Sequence, residues 1–169
     1  MKLFLIGLMG SGKSVLGKKL SKSVNLPFID LDTVIEKQEG LTVSEIFSAK
    51  GEPYFRTLEA AVLRKQSEAK EFVLSTGGGA PCFHDNMEFI NQTGISIFLD
   101  TPVKEILGRI THEQKRSRPI LENVPDEEME QKLERLLEKR LPFYQQAHIT
   151  VNGATATAWD ILQRVYTKK

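Results

Sequence analysis

The chain has 169 residues, 40% hydrophobic and 27% charged, with a formal net charge of +1 at pH 7. That length suits one domain burying roughly 70% of its unfolded surface, and the near-neutral balance, with no block of like charges, argues for no nucleic-acid or membrane-surface partner. The single Cys82 excludes an intrachain disulfide and fits a reducing compartment. No apolar run reaches membrane-spanning length, and glycines interrupt "MKLFLI" too soon for a signal peptide, so a cytoplasmic protein is expected.

The first predicted strand is "LFLI", followed at once by "GLMGSGKS", Gly7 to Ser14. The stretch fits G-x-x-x-x-G-K-[ST], and its physical content is a phosphate cradle. Glycines accept backbone angles that turn successive N–H groups onto an anion, and the helix behind them adds the positive end of its dipole. Lys13 would reach the β- and γ-phosphates, and the Ser14 hydroxyl would ligate Mg²⁺. "SVLGKKLSKSV" reads as that helix, with Val15, Leu16 and Leu20 on one side.

"PFID" is the second strand, and "DLD" closes it with Asp30 and Asp32. Alternate positions on an extended segment face one way, so both carboxylates are expected toward one cavity at a strand's carboxyl end. One would help to hold Mg²⁺ through water, and the other would bind or deprotonate a hydroxyl. A plain helix cap at Asp32, ahead of Thr33, is the competing reading. "TVSE" fits a capping box at Thr42–Glu45, and Gly40 and Gly51 are expected helix stops. In "GEPYFRTLE", Arg56 flanks an apolar stripe of Phe55, Leu58 and Val62, where the ordinary expectation is a solvated pair with Glu59.

"FVLS" is the third strand, and "STGGGAP" follows it. One glycine would make the turn; three imply that a ligand or another backbone approaches closely. "ISIFLD" is the fourth strand, and Thr101–Pro102 is expected to supply an N-cap and a first-turn proline. The connection from about Thr111 to Pro125 exceeds the usual helix–helix link of about 2–8 residues. Carrying Lys115, Arg116 and Arg118, it is either a functional flap or a loop of solvated charges. "DEEMEQKLE" reads as a helix start. In the helix that follows, Arg140 is seven after Leu133 and four after Leu136, so it falls on the apolar stripe. A guanidinium there needs an anion or a wet cavity, unless it snorkels at the domain edge. "HITV" is the last strand. Strands alternating with helices argue for a parallel α/β sheet.

Taken together, "GLMGSGKS", "DLD", the Gly51, Glu52, Phe55, Arg56 set, Gly77–Gly79, "SRPIL" and "KRLPFY" resemble the shikimate kinase family, in the nucleoside-monophosphate-kinase-like branch of P-loop proteins, over roughly residues 3–151. The Walker loop is common to many families; the other five motifs together are specific. The resemblance implies transfer of the γ-phosphoryl group of ATP to the 3-hydroxyl of shikimate, with Mg²⁺. It implies a single P-loop kinase domain over 1–169, with substrate-binding helices about 32–62 and a mobile lid about 111–125. The implied fold is a three-layer one, a five-stranded parallel sheet in order 2-3-1-4-5 flanked by helices.

Carried over by residue, the resemblance gives ATP to Gly10, Ser11, Gly12, Lys13, Ser14 and Val15, with Ser14 on the metal and Asp30 near it through water. Asp32 would bind the substrate hydroxyls and accept the proton. Arg56 and Arg140 would clamp the carboxylate, with Gly78 in the same pocket. Arg118 would come from the lid over ATP, joining Lys13 and Asp32 as catalytic groups. Two positions depart from the family pattern: Val15, where threonine is more usual, and Leu31, where a small polar residue is. Arg109 and "VNGAT" are adenine-site candidates by position. The rivals are another small-molecule kinase on this scaffold, for gluconate or a nucleotide, and a GTP-dependent switch, against which the missing N-K-x-D signature counts. No long apolar surface pattern demands a partner, and a monomer is expected.

Overall fold

A computed structural model describes residues 1–111, 115 and 118–167. Its sheet has five parallel strands: β1 (Lys2–Ile6), β2 (Phe28–Asp30), β3 (Phe72–Ser75), β4 (Ile95–Asp100) and β5 (Ile149–Asn152), in order β2-β3-β1-β4-β5. All five lie within a residue of the predicted strands, and the order is the one the resemblance implied. The helices among the described residues are α1 (Lys13–Val24), α2 (Leu31–Glu39), α3 (Val43–Lys50), α4 (Glu52–Gln66), α5 (Asn86–Thr93), α6 (Val103–Arg109), α7 (Met129–Tyr144) and α8 (Ala158–Thr167).

The alternation of side chains along the strands sorts them into two cores. Leu3, Leu5, Val73, Ile97 and Leu99 face α1 and α8, where Leu16, Leu20, Ile161 and Val165 meet them. Phe4, Ile6, Phe72, Leu74 and Phe98 face the other layer, against Ile35, Phe55, Leu63, Ile90 and Tyr144. Each such side chain, fully buried, contributes about 1.5–3 kcal/mol. Helix α1 lies close on the sheet because Gly17 leaves room: a methyl group there would stand 2.5 Å from the Phe28 ring. A third cluster, Leu8, Ile106, Leu121, Met129 and Leu133, joins α6, α7 and the segment between them.

Most predicted helix ends hold. Thr42 and Glu45 form the reciprocal capping box, Gly40 ends α2 in the left-handed region, and Gly51 closes α3. Three expectations are corrected. Strand β2 stops at Asp30, so Asp32 belongs to the first turn of α2 rather than to an extended segment. The cap is Asp30, whose carboxylate accepts from Thr33 N at 3.3 Å. Thr101 does not cap α6, where Pro102 holds the N-cap position; buried, it donates from Oγ1 to Ser11 O at 2.9 Å and braces the glycine loop after β1.

Candidate active site

The carboxyl ends of the strands lie along one edge, and the loops that leave them build the site. Gly7–Ser14 links β1 to α1. Gly10 and Gly12 have φ of 76° and 100°, conformations that L side chains avoid, and Gly12 is the N-cap of α1. The loop is held from behind: Thr101 and Arg109 both donate to Ser11 O. Lys13 folds back over its own loop, with Nζ donating to Gly7 O and Leu8 O at 2.9 Å each. Burial, aided by Arg118, lowers its ammonium to about 7, against the pull of Asp32 and Asp30. Ser14 Oγ donates to Asp30 Oδ2 at 2.7 Å, so Asp30 serves α2 with one oxygen and Ser14 with the other.

Asp32 lies beside this pair at the head of α2. Burial and the neighbouring Asp30 raise its carboxyl to about 6, with Lys13 and Arg118 opposing. Arg118 has a buried Nη1 with no hydrogen-bond partner. Two cavities meet here. The one over the glycine loop, about 340 Å³, is lined by Gly10, Gly12, Lys13, Val15 and Arg109. Its neighbour, about 360 Å³, is lined by Phe47, Phe55, Arg56, Glu59, Gly79 and Arg140. Ser14, Asp30, Asp32, Gly77, Gly78 and Arg118 line both.

The second cavity has a glycine floor with cationic walls. Arg56 is 5% and Arg140 6% exposed. Methyl groups on the glycines would stand 2.5 Å from Arg56 Nη2 at Gly79 and 3.2 Å from Arg140 Nη1 at Gly78. None of these three glycines has a positive φ, so here the sequence needs space rather than unusual dihedrals. Arg56 donates from Nη1 to Glu59 at 2.8 Å and from Nε to Glu52 at 3.1 Å. The expected Arg56–Glu59 pair therefore exists, but it is buried, not solvated. Arg140 Nη1 has no partner in the protein, and Tyr144, one turn on, donates its hydroxyl to Gly78 O. α7 runs through Pro142 to Tyr144.

The geometry adds residues that sequence reasoning passed over. Glu59 is 0% exposed; its Oε1 is unpartnered and would stand 2.8 Å from a methyl on Gly77, with Asp32 Oδ1 2.9 Å from the same point. Burial raises its carboxyl to about 7, despite the opposing pull of Arg56. A signal was available: Glu59 is four after Phe55 and three before Val62, so it sits on the apolar stripe as Arg140 does. Ile120 lines the cavity beside Arg56 and Arg140 from the segment after α6. Val15 is 63% exposed at the rim of the cavity over the glycine loop. Arg109 meets Ser11 O and lines that cavity, and a methyl on Gly12 would lie 4.0 Å from Gly153 O of the "VNGAT" loop. Arg116 lies outside the described residues. Cys82 is a free thiol that burial pushes up to about 11, which makes it a poor nucleophile.

A glycine-rich loop with Lys13 and Ser14 at the head of a helix, an acidic pair beside it and an adjoining cavity walled by two buried arginines are the parts of a P-loop kinase. The family model for shikimate kinase matches residues 9–168. A shikimate kinase of Bacteroides fragilis is 47% identical over 147 residues, covering 87% of this chain and 82% of that protein. The crystal structure of shikimate kinase from Bacteroides thetaiotaomicron superposes with a TM-score of 0.85 at 43% identity, covering 99% of this chain and 96% of that one. Shikimate kinase from Acinetobacter baumannii, in complex with shikimate, gives 0.87 at 39%, covering 99% and 91%. This chain belongs to the shikimate kinase family.

Proposed function

We propose that the two joined cavities divide one reaction, with the triphosphate of ATP on the Gly7–Ser14 loop and shikimate on the glycine floor beside it. As a shikimate kinase, the chain transfers the γ-phosphoryl group of ATP to the 3-hydroxyl of shikimate, giving shikimate 3-phosphate and ADP in chorismate and aromatic amino acid biosynthesis. The observation that carries the division of roles is the pair of buried guanidiniums, Arg56 and Arg140, against adjacent glycines in a cavity that adjoins the phosphate loop. A guanidinium with an unpartnered buried N–H, as at Arg140, is supported by an anion that completes its bonding.

In this reading Gly10, Ser11, Gly12, Lys13 and Ser14 hold the phosphates, with Val15 at the rim. Lys13 leaves the loop carbonyls for the β- and γ-phosphates, which restore the charge that burial disfavours. Asp32 orients the 3-hydroxyl and takes its proton; its raised pKa makes it a stronger base than an exposed carboxylate, yet largely ionised at pH 7. Arg118, bordering both cavities, faces the group in transit and stabilises its charge. Arg56 and Arg140 grip the substrate carboxylate over Gly78. The donor set for Mg²⁺ is one hydroxyl and one carboxylate 2.7 Å apart, Ser14 and Asp30, with Asp30 acting through water. That set fits an ion held mainly by nucleotide phosphates and water, and the bound ion supplies neutralisation of phosphate charge. Among the described residues no group of three or more His, Cys, Asp and Glu side chains could hold a metal by itself.

The whole of 1–169 acts as one kinase domain, with helices over about 32–62 on the substrate side and a lid over about 111–125, of which 112–114 and 116–117 lie outside the described residues. The reading keeps the protein a cytoplasmic monomer, in line with the free thiol of Cys82; among the described residues no helix is long and apolar enough to cross a membrane. An ADP-coupled assay tests it. Shikimate accelerates ADP formation, and Arg140→Ala raises the shikimate KM about ten- to a hundredfold while the ATP KM stays put. An effect of Arg140→Ala confined to ATP would reject the clamp.

A further inference from the structure

The fork of Arg56 must be aimed to be useful, because a two-bond grip on a carboxylate tolerates little misalignment. A long side chain that is already fixed loses less freedom when the ligand arrives. Part of that fixing comes from Phe83. Its ring centroid is 4.5 Å from Arg56 Cζ, shorter than the distances from Phe55 and Phe47. Yet Phe83 is 37% exposed and is not among the core residues, so core packing does not account for it.

The turn that presents Phe83 is strained. His84 and Asp85 have φ of 51° and 54°, consecutive left-handed residues with neither a glycine. Such a conformation persists where its surroundings over-determine it. The restraint is Arg64, two turns beyond Arg56 on α4. It donates from Nη2 to His84 O at 2.9 Å and from Nη1 to Asn86 Oδ1 at 2.7 Å. Asn86, fully buried, donates from Nδ2 to Ala80 O at 2.9 Å, and its backbone N–H reaches Phe83 O at 3.0 Å. One helix thus carries both the arginine that faces the cavity and the arginine that holds the turn against it.

We propose that Phe83 is a positioning residue for recognition of the substrate carboxylate, acting through Arg56, and that Arg64 holds the turn that presents it. The proposal rests on Arg56 being one jaw of the carboxylate clamp. Removing the aromatic face leaves the guanidinium its two glutamates but takes away the surface that sets its tilt.

The test compares shikimate with its neutral methyl ester, at saturating ATP, on the unaltered enzyme, Phe83→Leu and Arg64→Lys. The unaltered enzyme is expected to prefer shikimate by tenfold or more in kcat/KM; equal use of acid and ester overturns the clamp itself. Given that preference, Phe83→Leu raises the shikimate KM about three- to tenfold, leaving kcat, the ATP KM and the ester KM within about twofold. Arg64→Lys, which keeps the charge without the fork, moves the same parameter in the same direction. Preference for the acid undiminished in Phe83→Leu, or ester and acid KM values rising together, overturns the positioning role while leaving the clamp standing. Should the Arg64 variant fail to fold, Phe83→Leu alone decides, since its ring lies at the surface.

Discussion

Replacing Gly79 by alanine tests whether the glycine floor exists to make room for Arg56. At φ −87° and ψ −17° the backbone suits alanine as well as glycine, so no conformational strain arises. The difficulty is spatial. The new methyl would stand 2.5 Å from Nη2 and 2.7 Å from Cζ and Nη1, whereas ordinary contact begins at 3.4 Å, so the guanidinium must retreat by roughly 0.9 Å. It cannot do so freely, because Glu59 holds Nη1, Glu52 holds Nε, and Phe83 borders the group. Overpacking of this kind costs about 1–3 kcal/mol, and a misplacement near 1 Å in a binding group costs up to about a hundredfold in rate. In the proposed clamp the carboxylate is held in ground and transition states alike, so the loss belongs mainly to the shikimate KM. In steady-state assays we expect that KM to rise about ten- to a hundredfold, with the ATP KM unchanged, and thermal unfolding to move down by several degrees. A folded Gly79→Ala enzyme with the original shikimate KM would refute the spatial argument and, with it, the assignment of Arg56 to the clamp.

Asp32→Asn keeps the shape of α2 and removes the proposed base; turnover should fall to background while calorimetry finds ATP affinity nearly intact, and retention of most of kcat would rule Asp32 out as base or essential positioner. Glu59→Gln should alter the pH dependence of stability. Burial holds the Glu59 carboxyl at about 7, against a usual 4.5, so the folded state retains a proton that the unfolded chain gives up. The stability this contributes is complete below pH 4.5 and is lost as pH rises to about 7, a change of about 3 kcal/mol. Because pH 5 already lies above the unfolded value, denaturant unfolding at pH 5 and pH 8 should show the unaltered protein losing about 2.5 kcal/mol more than Glu59→Gln; equal losses would contradict the raised pKa.

Much of this was legible because the chemistry was carried by residues that break a local rule. Three glycines before a helix, a further run after β3 and an arginine on an apolar stripe each announced themselves, and the structure keeps all three at one sheet edge. The alternating pattern also gave the strands to within a residue. What the sequence concealed was set by geometry across elements. "DLD" reads as one extended segment, but the chain turns into α2 between the two carboxylates, so Asp30 caps the helix and Asp32 rides on its first turn. Thr101 before Pro102 reads as a cap; the register of β4 beside β1 instead carries it to the phosphate loop, ninety residues away in sequence. An Arg–Glu pair three apart on a helix is ordinarily a surface pair, which outweighs the place of Glu59 on the apolar stripe; packing against the glycine floor buries it.

The two glycine runs do different work, and the sheet explains why both are needed. In the loop after β1 the glycines supply dihedrals; in the loop after β3 they supply emptiness. Leu5 and Ser75 are paired in register, and Thr76 N donates to Leu5 O, so the two loops leave adjacent strands at the same height. They then run backbone against backbone, a methyl on Gly78 standing 3.1 Å from Met9 N and 3.5 Å from Gly7 O. Any side chain there would wedge these two loops apart. Both loops spring directly from neighbouring strands, and Asp32 and Arg118 line both of the cavities that meet there. In-line transfer asks for alignment more than for covalent chemistry, and the close register of β1 and β3 builds that alignment into the fold.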